Sequence, residues 1–170
     1  MSKAQHIVID TNVLISAGLL PNSKTATLLA AALERYVLAQ NEATWGELQT
    51  RISRQKFDRY FGDRGRFTHL TRLAQSAEFF KMVATADACR DPSDSKFLAL
   101  AIDAGASAIV TGDEDLQTLH PHQGVAIYSP SDFSASLSGR IEKLRSIRRR
   151  RSMLEPDGRP PVGVEVQPVR

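Results

Sequence analysis

Four short acidic signatures carry the residues in this chain that could do chemistry. They are Ile7-Val8-Ile9-Asp10-Thr11-Asn12, Trp45-Gly46-Glu47-Leu48, Asp91-Pro92-Ser93-Asp94 and Val110-Thr111-Gly112-Asp113-Glu114-Asp115. Two of them follow apolar runs that read as buried strands, and one opens a strongly apolar helix. In an open α/β sheet, ligands bind outside the carboxyl ends of the strands, so acids far apart in sequence meet at one edge. Gathered carboxylates repel one another, and oxygen-rich clusters suit hard divalent ions such as magnesium or manganese. The first expectation is a metal-dependent phosphodiester hydrolase.

Each signature also has a plainer reading. Asp10 is a good N-cap for the helix that follows it. Asp91 at the N-cap, Pro92 at N1 and Asp94 at N3 would satisfy orphan N–H groups and suit the helix dipole. Gly112-Asp113 is an ordinary strand-to-helix turn. Against that, Asp113, Glu114 and Asp115 repel one another unless they are solvated or share a cation; Glu114 is expected to face solvent. Glu47 flanks the Trp45, Leu48 and Ile52 stripe, where exposed glutamates are commonplace. His120 and His122 flank Pro121 and lack the company a zinc set needs, so they read as surface residues.

The elements that must position these groups alternate. Continuous hydrophobicity over His6–Ile9 predicts a strand buried on both faces, as in a parallel sheet. Helices are expected over 12–18, 25–36, 44–54 and 68–80, with Gly62-Asp63-Arg64-Gly65 as a break. Further strands are expected at Val37–Ala39, Lys81–Ala84, Ala108–Val110 and Val125–Tyr128. The Asp91–Asp94 signature starts a helix with Phe97, Leu98, Ala101 and Ile102, stopped by Gly105, and Pro130-Ser131-Asp132 opens a terminal helix. This alternation specifies a three-layer α/β/α domain with a short central parallel sheet.

The chain has 170 residues, 42% of them hydrophobic, enough for one domain plus an extension. The single cysteine, Cys89, excludes an internal disulfide framework. No apolar run approaches the roughly 20 residues that cross a bilayer, and the N-terminus shows no signal-peptide pattern. A cytoplasmic protein with no membrane partner is expected. The net charge of +3 is unevenly spread. Residues 1–139 hold 13 Lys/Arg against 15 Asp/Glu, a net of −2, whereas residues 140–170 hold 9 against 4, a net of +5. The domain is therefore placed at residues 1–138. Residues 139–170 form a basic extension, helical to Leu154, with a Pro-containing tail expected to be disordered. Within the domain, Arg51 to Arg72 is a basic zone in which Arg51, Arg54 and Lys56 could follow a phosphate backbone. Arg148, Arg149 and Arg150 could do the same in the extension. Both runs also read as solvated helical faces.

Taken together, the signatures resemble those of the PIN-domain ribonucleases, in particular the toxins of bacterial toxin–antitoxin operons. The resemblance rests on Val8–Ser16, Gly46-Glu47-Leu48, Arg90–Asp94 ahead of Phe97–Ala101, and Val110–Leu116, and it covers roughly residues 6–135. It implies a PIN-like fold and a metal-dependent endoribonuclease with a catalytic quartet of Asp10, Glu47, Asp94 and Asp113. Asp115 matches a fifth acid that also contacts metal, and Asn12 and Thr111 would support the site. The implied cofactor is Mg2+ (or Mn2+). The implied partners are RNA, a small antitoxin and further copies of the chain as a homodimer or higher homo-oligomer. The rival is a non-catalytic regulatory relative that binds metal and RNA without cleaving. Other classes fit less well. A haloacid-dehalogenase-type phosphatase needs a second acid where Asn12 stands. A receiver domain needs an acidic pair before the first helix, and a P-loop NTPase needs a Gly-x-x-x-x-Gly-Lys sequence that is absent.

Overall fold

Ile7, Val8 and Ile9 expose at most 3% of their surface, and Ile109 and Val110 at most 1%. Such strands, apolar on both faces, demand cover above and below, and that is what they have. The computed structural model describes residues 5–84 and 92–154. Within them, β1 (Gln5–Ile9), β2 (Tyr36–Gln40), β3 (Ala77–Phe79), β4 (Ala108–Val110) and β5 (Ala126–Tyr128) form one sheet in the order β3-β2-β1-β4-β5. Every pairing is parallel. The helices are α1 (Thr11–Leu19), α2 (Lys24–Leu33), α3 (Glu42–Ile52), α4 (Asp63–Gln75), α5 (Pro92–Asp103), α6 (Glu114–Gln117) and α7 (Pro130–Leu154).

Alternation along β1 divides the core. Ile7 and Ile9 pack on one side with Leu14, Leu29, Leu48, Ile52, Leu73 and Phe133, so α1 to α4 and the start of α7 cover that face. Val8 points the other way, joining Ile109, Ile127, Phe97, Leu98 and Leu100 under α5 and α6. The result is the expected three-layer α/β/α architecture. The chain parts into two units, residues 1–137 and 138–170. Among the described residues no helix is long and apolar enough to cross a membrane.

Several boundaries differ from expectation, among them α3, at Glu42–Ile52 in place of 44–54. Tyr36 belongs to β2, not to the preceding helix; α2 ends at Leu33 with Glu34 as its C-cap, and Tyr36 is buried against Phe133 at 5.9 Å between ring centroids. Gly62-Asp63-Arg64-Gly65 does not break the chain beyond one residue. Gly62 stands at the N-cap and its carbonyl accepts from the Arg66 N–H at 3.0 Å, so α4 is already under way at Asp63. That helix therefore ends sooner, at Gln75, and the third strand lies at Ala77–Phe79 in place of Lys81–Ala84. The reason is register: Leu38 to Gln40 pair with Ala77 to Phe79, and the Phe80 N–H takes the Gln40 carbonyl, which exhausts β2. The N–H groups of Val83 and Ala84 instead bond the Asp103 carboxylate at 3.0 and 2.9 Å. The expected helix start at Asp91 and the tail beyond Glu155 lie outside the described residues.

The α1–α4 contact has an acid-sensitive group. The His69 ring donates from Nε2 to the Leu14 carbonyl at 2.9 Å and stacks on Phe61. A Cβ at Gly18 would come within 2.6 Å of that ring, so glycine there permits the close approach. Burial pushes the His69 pKa below its ordinary 6.5; the Leu14 hydrogen bond opposes this and the charge of Arg72 adds to it. The unfolded chain therefore binds this proton more readily than the folded one. Stability is intact above pH ~6.5 and falls as the pH drops through the window below it. Urea midpoints of wild type and His69→Gln at pH 7.5 and 5.0 test this: the wild type should lose more stability on acidification. Equal losses would show that His69 is not the sensitive group.

Candidate functional site

The strand order reverses direction at β1 and β4, with β2 and β3 to one side and β5 to the other. The crevice at such a switch point is where open α/β sheets bind ligands. Asp10 follows β1 and Thr111 follows β4, and the Asp10 N–H donates to the Val110 carbonyl at 2.9 Å, tying the two strand ends together. Asp10 is only 7% exposed. Its Oδ1 accepts from the Asn12 N–H at 2.9 Å, so it does cap α1. Its Oδ2 accepts from the Thr111 hydroxyl at 2.8 Å. Cap and site residue are thus one side chain using different oxygens.

Thr111 is fully buried and serves both acids. Its Oγ1 donates to Asp10 and accepts from the Asp113 N–H at 3.0 Å, while its carbonyl accepts from Gln117 Nε2 at 2.9 Å. Asp113 then caps α6, its Oδ1 accepting from the Leu116 N–H at 3.0 Å. Asp115 is exposed in the first turn of α6 and makes no bond to Asp10, Thr111 or Asp113.

Glu47 reaches the site indirectly. It lies on α3, and Arg51, one turn on, places Nε 2.8 Å from Oε1 while its Nη1 donates to Asn12 Oδ1 at 3.1 Å. The other oxygen, Oε2, is held by Lys96 from α5. The side chain of Asp94, two residues before Lys96, lies outside the described residues, as do those of Arg148, Arg149 and Arg150. Arg54 is exposed before a short 3-10 helix, and Lys56 lies over the Phe57 ring at 4.8 Å.

The donor chemistry fits a hard divalent cation. Asp10 is a buried carboxylate whose hydrogen-bond partners are neutral. Among the described residues no Lys, Arg or His pairs with it. A buried charge without a counter-charge is costly, so a cation supplied from outside would complete the arrangement. Among the described residues no three acidic, His or Cys side chains gather about one point.

Two residues at this edge escaped the motif reading. Lys96 has one signal, a cation placed towards the positive end of a helix dipole, where it needs an acid to justify it. Asn41 directly follows β2, the strand that pairs with β1, so it stands at the same edge of the sheet as Asp10. It forms a capping box with Thr44, is 1% exposed, and its Nδ2 has no hydrogen-bond partner. A separate cavity of about 780 Å³ lies at the far end of α1, lined by Gly18, Ala30, Phe61, Arg64 and Arg72 among others.

A family model described as PIN domain matches residues 6–115. The chain is 30% identical over 115 residues to an uncharacterized protein of Methanocaldococcus jannaschii, covering 66% of this chain and 74% of that one. A chain in the crystal structure of VapBC2 from Rickettsia felis, bound to a DNA fragment from its promoter, superposes with a TM-score of 0.54. It is 14% identical, covering 74% of this chain and 98% of that chain. FitAcB from Neisseria gonorrhoeae gives a TM-score of 0.49 at 22% identity, covering 73% and 97%. At 14% identity the likeness to the VapBC2 chain is one of fold.

Proposed function

Because this chain belongs to the PIN-domain family, we propose that it is a metal-dependent endoribonuclease, the cytoplasmic toxin of a toxin–antitoxin pair. The observation that carries this reading is the buried Asp10, without a cationic partner among the described residues and joined through Thr111 to the Asp113 backbone at the switch point. Asp10, Asp94 and Asp113 would hold the ion, with Glu47 and Asp115 as further contacts. Bound Mg2+ or Mn2+ supplies a water of lowered pKa and offsets charge growing on the phosphate. The chain's own part is placement. Thr111 ties the Asp10 carboxylate to the backbone at Asp113, Asn12 holds Arg51 beside Glu47, and no nucleophilic side chain is required. Arg51, Arg54, Lys56 and Arg148 to Arg150 would contact RNA phosphates, a contribution that weakens with salt.

For the restraining partner, an antitoxin segment with an apolar face and acidic flanks suits the cavity beside Phe61, Arg64 and Arg72. A homodimer or higher homo-oligomer belongs to the same reading. One observation favours the rival, an RNA-binding protein that holds metal without cleaving: both oxygens of Glu47 are already paired. Incubating purified protein with end-labelled RNA separates the two. Fragments are expected with Mg2+ or Mn2+ and none with excess chelator. RNA retention without fragments under both metals would establish the rival.

A further inference from the structure

Glu47 is held by two cations of different character. The exposures of the three side chains are 14% for Glu47, 19% for Lys96 and 32% for Arg51, so solvent screens the cluster poorly. Arg51 is fixed at two points, Glu47 Oε1 and Asn12 Oδ1, and its planar fork is spent on both. Lys96 has Glu47 Oε2 and the face of its neighbour Phe97, at 5.2 Å from Nζ to the ring centroid. A lysine ammonium is a compact point charge on a flexible stem and can leave one partner without dismantling a fork.

From this asymmetry we infer that Lys96 is a tethered counter-ion. Its ammonium occupies the oxygen of Glu47 that a divalent cation would take, and yields that oxygen when the ion loads. The inference rests on the metal-dependent reading above. Arg51 alone balances the single charge of Glu47, so Lys96 brings the trio to a net positive charge, seated on Oε2. When a doubly charged ion arrives, repulsion between it and the ammonium opposes loading, so Lys96 sets the affinity. Arg51 stays in place and keeps Glu47 aimed. An ordinary structural ion pair between α3 and α5 makes the opposite demand: removing it loosens the site and leaves metal affinity unchanged or weaker.

Calorimetric titration of the full chain with Mn2+ decides between them, using wild type, Lys96→Met, Lys96→Gln, Lys96→Arg and Asp10→Asn. Removing one positive charge a few ångströms from the ion should tighten Mn2+ binding by on the order of tenfold in Lys96→Met and Lys96→Gln. Lys96→Arg, which keeps the charge, should stay near wild type. The rise in melting temperature on adding Mn2+ should likewise be larger in the two neutral variants. If Lys96→Met folds poorly without metal, Lys96→Gln supplies the comparison. Unchanged or weakened affinity in the neutral variants, with wild-type binding that Asp10→Asn abolishes, overturns the inference and leaves the nuclease reading standing. Absence of Mn2+ binding in every variant overturns both.

Discussion

Asp10→Asn is expected to lower metal-dependent RNA cleavage by on the order of 10³-fold or more, because it removes the buried negative charge on which cation binding depends. The fold should survive. The Asn side-chain oxygen can still accept from the Asn12 N–H, keeping the α1 cap, and the Thr111 hydroxyl can turn to accept from the new amide. Thr111→Val is a graded companion. It keeps the shape and both carboxylates but removes the hydroxyl that links the Asp10 carboxylate to the Asp113 backbone N–H, and losses of supporting groups of this kind cost about 10–100-fold. Cleavage of labelled RNA and thermal unfolding, measured on the same preparations, check both. An Asp10→Asn protein that cleaves at the wild-type rate with Mg2+ would dismiss the proposed centre.

Leu98→Ala should have the largest effect on stability. Leu98 is 0% exposed on α5 and packs with Val8, Ala39 and Ile109 on the face of the sheet that α5 and α6 cover. Truncation removes apolar contact and leaves a cavity that a parallel sheet closes poorly. A cost of about 2–5 kcal/mol is expected, which for a chain of this size lowers the melting temperature by roughly 10 °C. Because α5 also carries Asp94, one of the proposed ligands, loss of cleavage should accompany the loss of stability. Urea unfolding monitored by circular dichroism measures the first, and a shift below about 1 kcal/mol would mean that α5 contributes far less than its burial suggests.

The sequence disclosed the layers because buried parallel strands have few disguises. Ala108–Val110 is short, apolar and followed by Thr-Gly-Asp, and it forms β4 at those boundaries. Asp10 and Asp113 were legible as strand-end groups for the same reason. Elements at the margin were harder. β3 is three residues long and largely exposed, so its own pattern is weak and its position is dictated by where β2 runs out. Tyr36 suits a helix or a strand, and only its packing on Phe133 decides. Within the site, no spacing rule connects Lys96 to Glu47, since their meeting depends on how α5 and α3 cross over the sheet. Thr111 is flagged as a supporting residue only by the family resemblance. A threonine after a strand signals a turn, and nothing in the one-dimensional pattern says that its hydroxyl will address the Asp10 carboxylate and the Asp113 backbone N–H at once.

A single hydroxyl shared between the ends of neighbouring strands has a mechanical consequence. The Asp10 carboxylate is pinned against the backbone at Asp113 by the peptide itself, through one donated and one accepted proton. On the metal-dependent reading, the Asp10 carboxylate would therefore need little rearrangement to meet an ion, because its orientation is already set by stiff backbone on two strands.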